Sequence, residues 1–211
     1  MRKMIAMCLG FIAMSSISFA ATKSPVEFGA KSSVKVSTVV LSDTVKIGAL
    51  ELKRVASGLR YKKVLFANFD VYVGQVFSKE KPSQTSIGSM KDSLLKTLPV
   101  VLSLTFLRDV GADKLSNGFK ETLEGNGVDV KQSSYHQFLD AVITAGEMKK
   151  GESYLLAIGS EGNTVSLSAH GYEFYHLSEA SPEVMNGFMS LWFGKAPDSG
   201  LESLQKDLLK P

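Results

Sequence analysis

Cysteine is almost missing from this chain. The one present, Cys8, falls in the first twenty residues. Everything after it must hold together without a disulfide and without thiol chemistry. Charge of one sign is also lacking. The 24 basic residues face 21 acidic ones, and setting aside Arg2 and Lys3 leaves 22, a net of +1. With no basic stripe interleaved with aromatics, this balance excludes nucleic acid as the expected partner. A long apolar run is lacking as well. The best, Met4 to Ile17, is broken by Ser15 and Ser16 and is shorter than the roughly twenty residues that span a bilayer. Stable membrane insertion is therefore not expected.

Catalytic signatures are scarce too. There is no Gly-x-Ser-x-Gly elbow and no glycine-rich phosphate cradle. Ser93-x-x-Lys96 and Ser203-x-x-Lys206 fall on amphipathic helical patterns, without the companion motifs a serine–lysine enzyme needs. Of the three histidines, His170 and His176 lie six apart with Glu173 between them. A zinc site needs more ligands on one face, and Gly171 is expected to turn the chain between them. No metal and no cofactor is expected.

What is present begins with a leader. Arg2 and Lys3 form a basic start, an apolar stretch follows, and Ser18-Phe19-Ala20 is a small-x-small cleavage site. Cleavage after Ala20 and a periplasmic product are expected. Residues 21–211 are then expected to form one domain, monomeric, held by its core.

The rest is organised around Ala56–Phe77. Val64, Phe66, Phe69, Val71, Tyr72, Val73, Val76 and Phe77 are β-branched or aromatic, and Phe69, Val71, Val73 and Gln75 alternate with Asp70, Tyr72 and Gly74 at a period near two. Two long strands are expected, meeting near Lys62–Lys63 or Asn68, with Arg60 at the head of the apolar run. A guanidinium there is either solvated or turned into a cleft to hold an anion bidentately.

Before this stretch, residues 21–31 read as a mobile start, Ser32–Leu41 as a strand, and Val45–Val55 as a strand leading into a turn at Gly58. After it comes a loop, then a short helix over Met90–Leu98 that stops before Pro99. Val100–Leu107 is a strand ending in Arg108-Asp109, an ion pair or helix cap. Leu115, Phe119 and Leu123 give one helix face. Ser134 to Gln137 has the form of a capping box before a helix that turns Phe138, Val142 and Ala145 inward. A hairpin joins Tyr154–Ile158 to Thr164–Ser168, and Tyr172–Leu177 adds a strand. Ser181-Pro182 opens a helix carrying Val184, Phe188, Leu191 and Trp192. A last helix spans Leu201–Leu209. Strands early and late with helices between argue α+β, a mainly antiparallel sheet with helices on one face.

Five stretches carry a resemblance: Gly58-Leu-Arg60, Phe66 with Val71-Tyr72-Val73, Leu102–Asp109, Tyr154–Leu167 and Phe188–Pro197. In this order they resemble the chalcone isomerase-like family over nearly the whole chain after the leader. The resemblance implies an open-faced β-sandwich with a ligand cleft between sheet and helices. Arg60 matches the ligand-contacting arginine of the catalytic members. Their threonine after the strand phenylalanine is replaced here by Ala67. Their helix-start tyrosine has no counterpart in Gly111–Leu115, and their asparagine maps to about Gly118, beside Asn117. Closing a chalcone ring needs hydroxyls to stabilise the developing enolate, and losing one such donor costs on the order of a hundredfold. Arginine kept and hydroxyls lost resembles the family's non-catalytic branch, whose members bind fatty acids.

The resemblance thus implies a small amphipathic carboxylate, a fatty acid or similar, held near Arg60, Ala67, Tyr72 and Phe106. Two other readings stay open. One is a divergent isomerase with donors such as Tyr61 or Tyr72. The other is a structural or interaction protein whose cleft is filled by side chains.

Overall fold

The alternation around Val71 becomes the two longest strands of the molecule, β6 (Leu50–Val64) and β7 (Ala67–Ser78). A computed structural model describes residues 22–160 and 162–210. The expected leader and its cleavage site lie outside the described residues. Ahead of β6 come β1 (Thr22–Lys23), β2 (Val26–Phe28), β3 (Lys31–Val36), β4 (Val39–Ser42) and β5 (Thr44–Ile47). After β7 come α1 (Ile87–Lys96), β8 (Val100–Phe106), α2 (Ala112–Gly125) and α3 (Ser133–Ala145). The chain continues through β9 (Ser153–Ser160), β10 (Thr164–Ala169), β11 (Tyr172–Leu177), α4 (Pro182–Phe193) and α5 (Ser199–Leu208).

Nine strands form one antiparallel sheet in the order β1-β11-β10-β9-β8-β7-β6-β5-β2, and β3 pairs with β4 apart from it. β1 and β2 bond to opposite edges of the sheet, yet only Ser24 and Pro25 separate them. Three Cα–Cα steps reach at most about 11 Å. The sheet must therefore curl until its edges nearly meet. Ser24 N donates to the Gly171 carbonyl and Gly48 N to the Pro25 carbonyl, tying this short link to both sides.

Curling gives the sheet two unlike faces. On the outer, helix-covered face Tyr72, Leu102, Leu104, Phe106, Tyr154, Leu156 and Leu167 pack against α1 to α5 in one large core. Phe138, Phe188, Leu94 and Leu123 are fully buried there. On the inner face Val26, Val45, Ile47, Leu52, Phe77, Val101, Leu155 and Ala157 form a second, smaller cluster. This is an α+β fold, a curled antiparallel sheet with helices on one side, as the sequence pattern predicts.

Local details differ from the sequence reading. The stretch expected to be a mobile start instead supplies both closing strands. Ser32–Leu41 is a hairpin rather than one strand, turning at Ser37, which takes a positive φ of 52°. Gly58 lies in mid-strand, and the turn falls at Gly48-Ala49 instead. The glycine is there because α5 sits on it: a Cβ would come within 2.6 Å of Asp207 Cβ. The β6–β7 turn is Leu65-Phe66, between the two positions expected. Ser134 is inside α3, whose N-cap is Gln132, and Gln137 reaches back to the Ser133 hydroxyl at 3.1 Å. Asp109 caps no helix; it accepts from Lys150 N at 2.9 Å and from Lys149 Nζ.

Candidate anion site at the mouth of the sheet–helix core

Three of the four expected site residues share one row of the sheet. Arg60 on β6 faces Tyr72 on β7, and Tyr72 faces Phe106 on β8. The fourth, Ala67, stands apart. It pairs with Val64 at the exposed tip of the β6–β7 hairpin, so the structure does not bring it to the others. Phe66 and Phe69, both part of the β-favouring run of the sequence, are exposed at 101% and 43%.

Arg60 projects to the helix side, with its side chain 16% exposed. Its Nη2 donates to Asp198 Oδ2 at 3.1 Å and its Nη1 to the Tyr61 carbonyl at 3.2 Å. The guanidinium carbon lies 5.9 Å from the centre of the Tyr72 ring, within cation–π range. Lys62 Nζ donates to the same Asp198 oxygen at 3.0 Å. The other carboxylate oxygen, Oδ1, caps α5 by accepting from Leu201 N at 2.9 Å. Burial opposes ionisation of Asp198. The Leu201 N–H, Lys62 and Arg60 outweigh it and hold the carboxyl below its ordinary value. The arrangement is a carboxylate seat already filled from within the chain.

Behind Arg60 the wall is aromatic. Tyr72 is buried and its hydroxyl accepts from Trp192 Nε1 at 3.1 Å. Burial raises the Tyr72 phenol above its usual value. Phe106 meets Tyr72 and Tyr154 edge to face, with ring centres 5.8 and 5.6 Å apart. Phe119 bridges Trp192 and Phe138. Packed this way, the space between Leu204, Leu208, Trp192 and the sheet shrinks to a cavity of about 10 Å³.

The helix α5 makes this closure. Gly200 lies so near β6 that a Cβ would overlap the Tyr61 carbonyl. Asp207 accepts from Leu59 N at 3.1 Å, and Gln205 donates to the Trp192 and Gly194 carbonyls at 2.9 and 2.8 Å. Sequence reading missed Asp198. Its place ahead of Ser199-Gly200 marks an N-cap, but nothing local shows that it meets Arg60 138 positions away.

Room lies instead on the inner face. One concavity of about 760 Å³ is lined by Phe28, Lys31, Val40, Gln75, Thr105 and Lys150, among others. A second, of about 680 Å³, has Ile47 and Leu50 on one side and Ser166, Glu173 and His176 on the other. β5–β6 and β10–β11, far apart in the sheet, face each other across it. Among the described residues no group of three or more His, Cys, Asp or Glu could hold a metal ion.

A curled antiparallel sheet with helices on one face is the class of fold. The sequence model of the family described as chalcone isomerase-like matches residues 33–210, and the chain belongs to that family. No curated protein sequence matches it. Among solved structures it is similar to a fatty-acid binding protein of Arabidopsis thaliana, at 16% identity and a TM-score of 0.54. The match covers 75% of this chain and 86% of that one. At that identity the likeness concerns the fold.

Proposed function

We propose that this protein is a non-catalytic binder of a fatty acid or a similar amphipathic carboxylate, exported to the periplasm, with Arg60 as the group that holds the anion. The carrying observation is the Arg60–Asp198 pair, a sheltered guanidinium already engaged with a carboxylate oxygen. A ligand carboxylate would displace Asp198 and gain the same charge-assisted hydrogen bond. Displacing Asp198 frees the first turn of α5, whose departure would open the apolar wall of Tyr72, Phe106 and Trp192 to an acyl chain. The fatty-acid binding activity named for the Arabidopsis relative supports this reading. So does the absence of a tyrosine in Gly111–Leu115, where the resemblance puts the catalytic members' helix-start hydroxyl. The basic start and the Ser18-Phe19-Ala20 site support export.

A fluorescent fatty acid titrated into wild type, Arg60→Lys and Arg60→Ala tests the reading. Lysine cannot reproduce the planar fork, so affinity should fall with Arg60→Lys. With Arg60→Ala it should fall by about 2–5 kcal/mol at unchanged fold. Equal affinity in all three would remove Arg60 from the site. Loss of binding in Gln75→Leu instead would move the ligand to the inner face. A second reading, a structural protein with a filled cleft, is favoured by the cavity of about 10 Å³. It predicts no binding in any variant.

A further inference from the structure

The β6–β7 hairpin runs past the body of the molecule and ends in apolar side chains that none of the described residues covers. Val64 is 51% exposed, Leu65 84%, Phe66 101% and Phe69 43%. Four neighbouring apolar residues at one tip are unlike singly scattered surface apolars and mark an interaction site. The turn itself is costly. Leu65 takes a φ of 54°, a left-handed conformation that a bulky residue seldom adopts and that Gly or Asn would take freely. A sequence serving the turn alone would place one of those residues there. The large apolar pair Leu65-Phe66 serves something beyond the turn.

Cations ring this tip. Lys62 faces Phe69 across the ladder, Lys63 faces Asn68, and the Arg108 guanidinium lies 5.4 Å from the Phe69 ring centre. Lys62 and Arg60 share one acidic partner, Asp198. Asp70, further down the hairpin, is the acidic residue within the strand segments that flank the turn. Apolar side chains at the end and cations just behind them match the layering of a bilayer surface, with acyl boundary outside and anionic headgroups behind it.

We propose that the hairpin tip Val64–Phe66, with Lys62, Lys63 and Arg108, docks the protein on an anionic lipid surface. Arg60 lies five residues from Leu65, about 17 Å along an extended strand. A tip buried about 5–10 Å leaves the Arg60–Asp198 mouth just above the headgroups. The proposal stands on the tip alone and does not need the ligand reading of Arg60.

Cosedimentation tests it with two kinds of vesicle, pure phosphatidylcholine and phosphatidylcholine containing phosphatidylglycerol. Wild type should pellet with the phosphatidylglycerol vesicles and less so as salt is raised. The double variant Leu65→Ser/Phe66→Ser should lose at least about tenfold in partitioning with its thermal midpoint unchanged, because these side chains make no core contact. Lys63→Gln should lose about fivefold. Failure of wild type to bind either vesicle, or binding untouched by the double variant, overturns the proposal. So does a dimer that Leu65→Ser/Phe66→Ser dissolves while vesicle binding is absent, which would assign the tip to a second copy of the chain. Lipid docking that survives Arg60→Ala while fatty-acid affinity is lost would keep the two sites distinct.

Discussion

The two faces of the sheet are built from different stock. The outer face carries Tyr72, Phe106, Tyr154 and the helices' Phe119, Phe138, Phe188 and Trp192, in a chain of edge and tilted ring contacts. The inner face has one large buried ring, Phe77, among aliphatics such as Val45, Leu52, Val101 and Ala157, with Gln75, Ser103, Thr105, Ser166 and Ser168 between them. Its cover is the thin N-terminal hairpin, held by Ser42 N donating to Gln75 Oε1 at 2.9 Å. Large rings interlock and leave about 10 Å³; short side chains under a light cover leave concavities of about 760 and 680 Å³. Packing quality rather than hydrophobicity decides where a ligand has room. On the tight face α5 lies directly over the sheet, with Leu204 against Gly58 and Gly74.

Four changes break or sharpen this contrast. Phe138→Ala should cost most, about 3–5 kcal/mol in urea melts, because the ring is fully buried against Phe119, Tyr175 and Phe188. A loss under about 1 kcal/mol would mean that the outer face is as loosely packed as the inner. Gly58→Val should cost about 1–3 kcal/mol by driving against Leu204 and Asp207. It should also expose the end of the chain to protease and raise fatty-acid affinity if α5 is the closure. Unchanged proteolysis would leave α5 out of it.

Asp198→Asn should have a smaller effect, about 1 kcal/mol for a partly exposed ion pair whose cap survives in part. The pH dependence fixes its sign. The folded Asp198 carboxyl titrates below the unfolded one, so its contribution is complete above the ordinary aspartate value of about 4. That contribution is lost as pH falls through the folded value. Wild type should therefore lose more stability below pH about 4 in acid melts than Asp198→Asn does. Parallel curves would discount the pair. Smallest and opposite in direction, Ser103→Ala should stabilise by up to about 1 kcal/mol, because the Ser103 hydroxyl is buried without a partner. A loss of stability would place a bound water there.

Most of the fold was legible because its signals are local. Phe138, Val142 and Ala145 on α3, Ser181-Pro182 at the start of α4, and the β9–β10 hairpin stand where periodicity and capping chemistry put them. What was not legible depends on distant partners. Gly58 looks like a turn residue until α5, far along the chain, is laid over it. Leu65-Phe66 carries no turn chemistry at all, so no rule of turn composition could find it. Of the site, Arg60, Tyr72 and Phe106 came from the family resemblance, and the structure sets them in one row of the sheet. Asp198 did not, and the displacement of Ala67 to the hairpin tip followed from a turn the sequence does not advertise.

The Ser24–Pro25 link has a consequence in time as well as in space. Thr22 pairs with Glu173 across 151 positions, while Val26, only four residues on from Thr22, pairs with nearby Ile47. Such a distant pairing carries a high loop-closure cost before any reward, which slows folding. The earliest-synthesised strand can be seated only after the last one exists. The sheet therefore closes like a clasp, late in folding, and until it does the β11 rim presents unpaired backbone to any neighbouring chain.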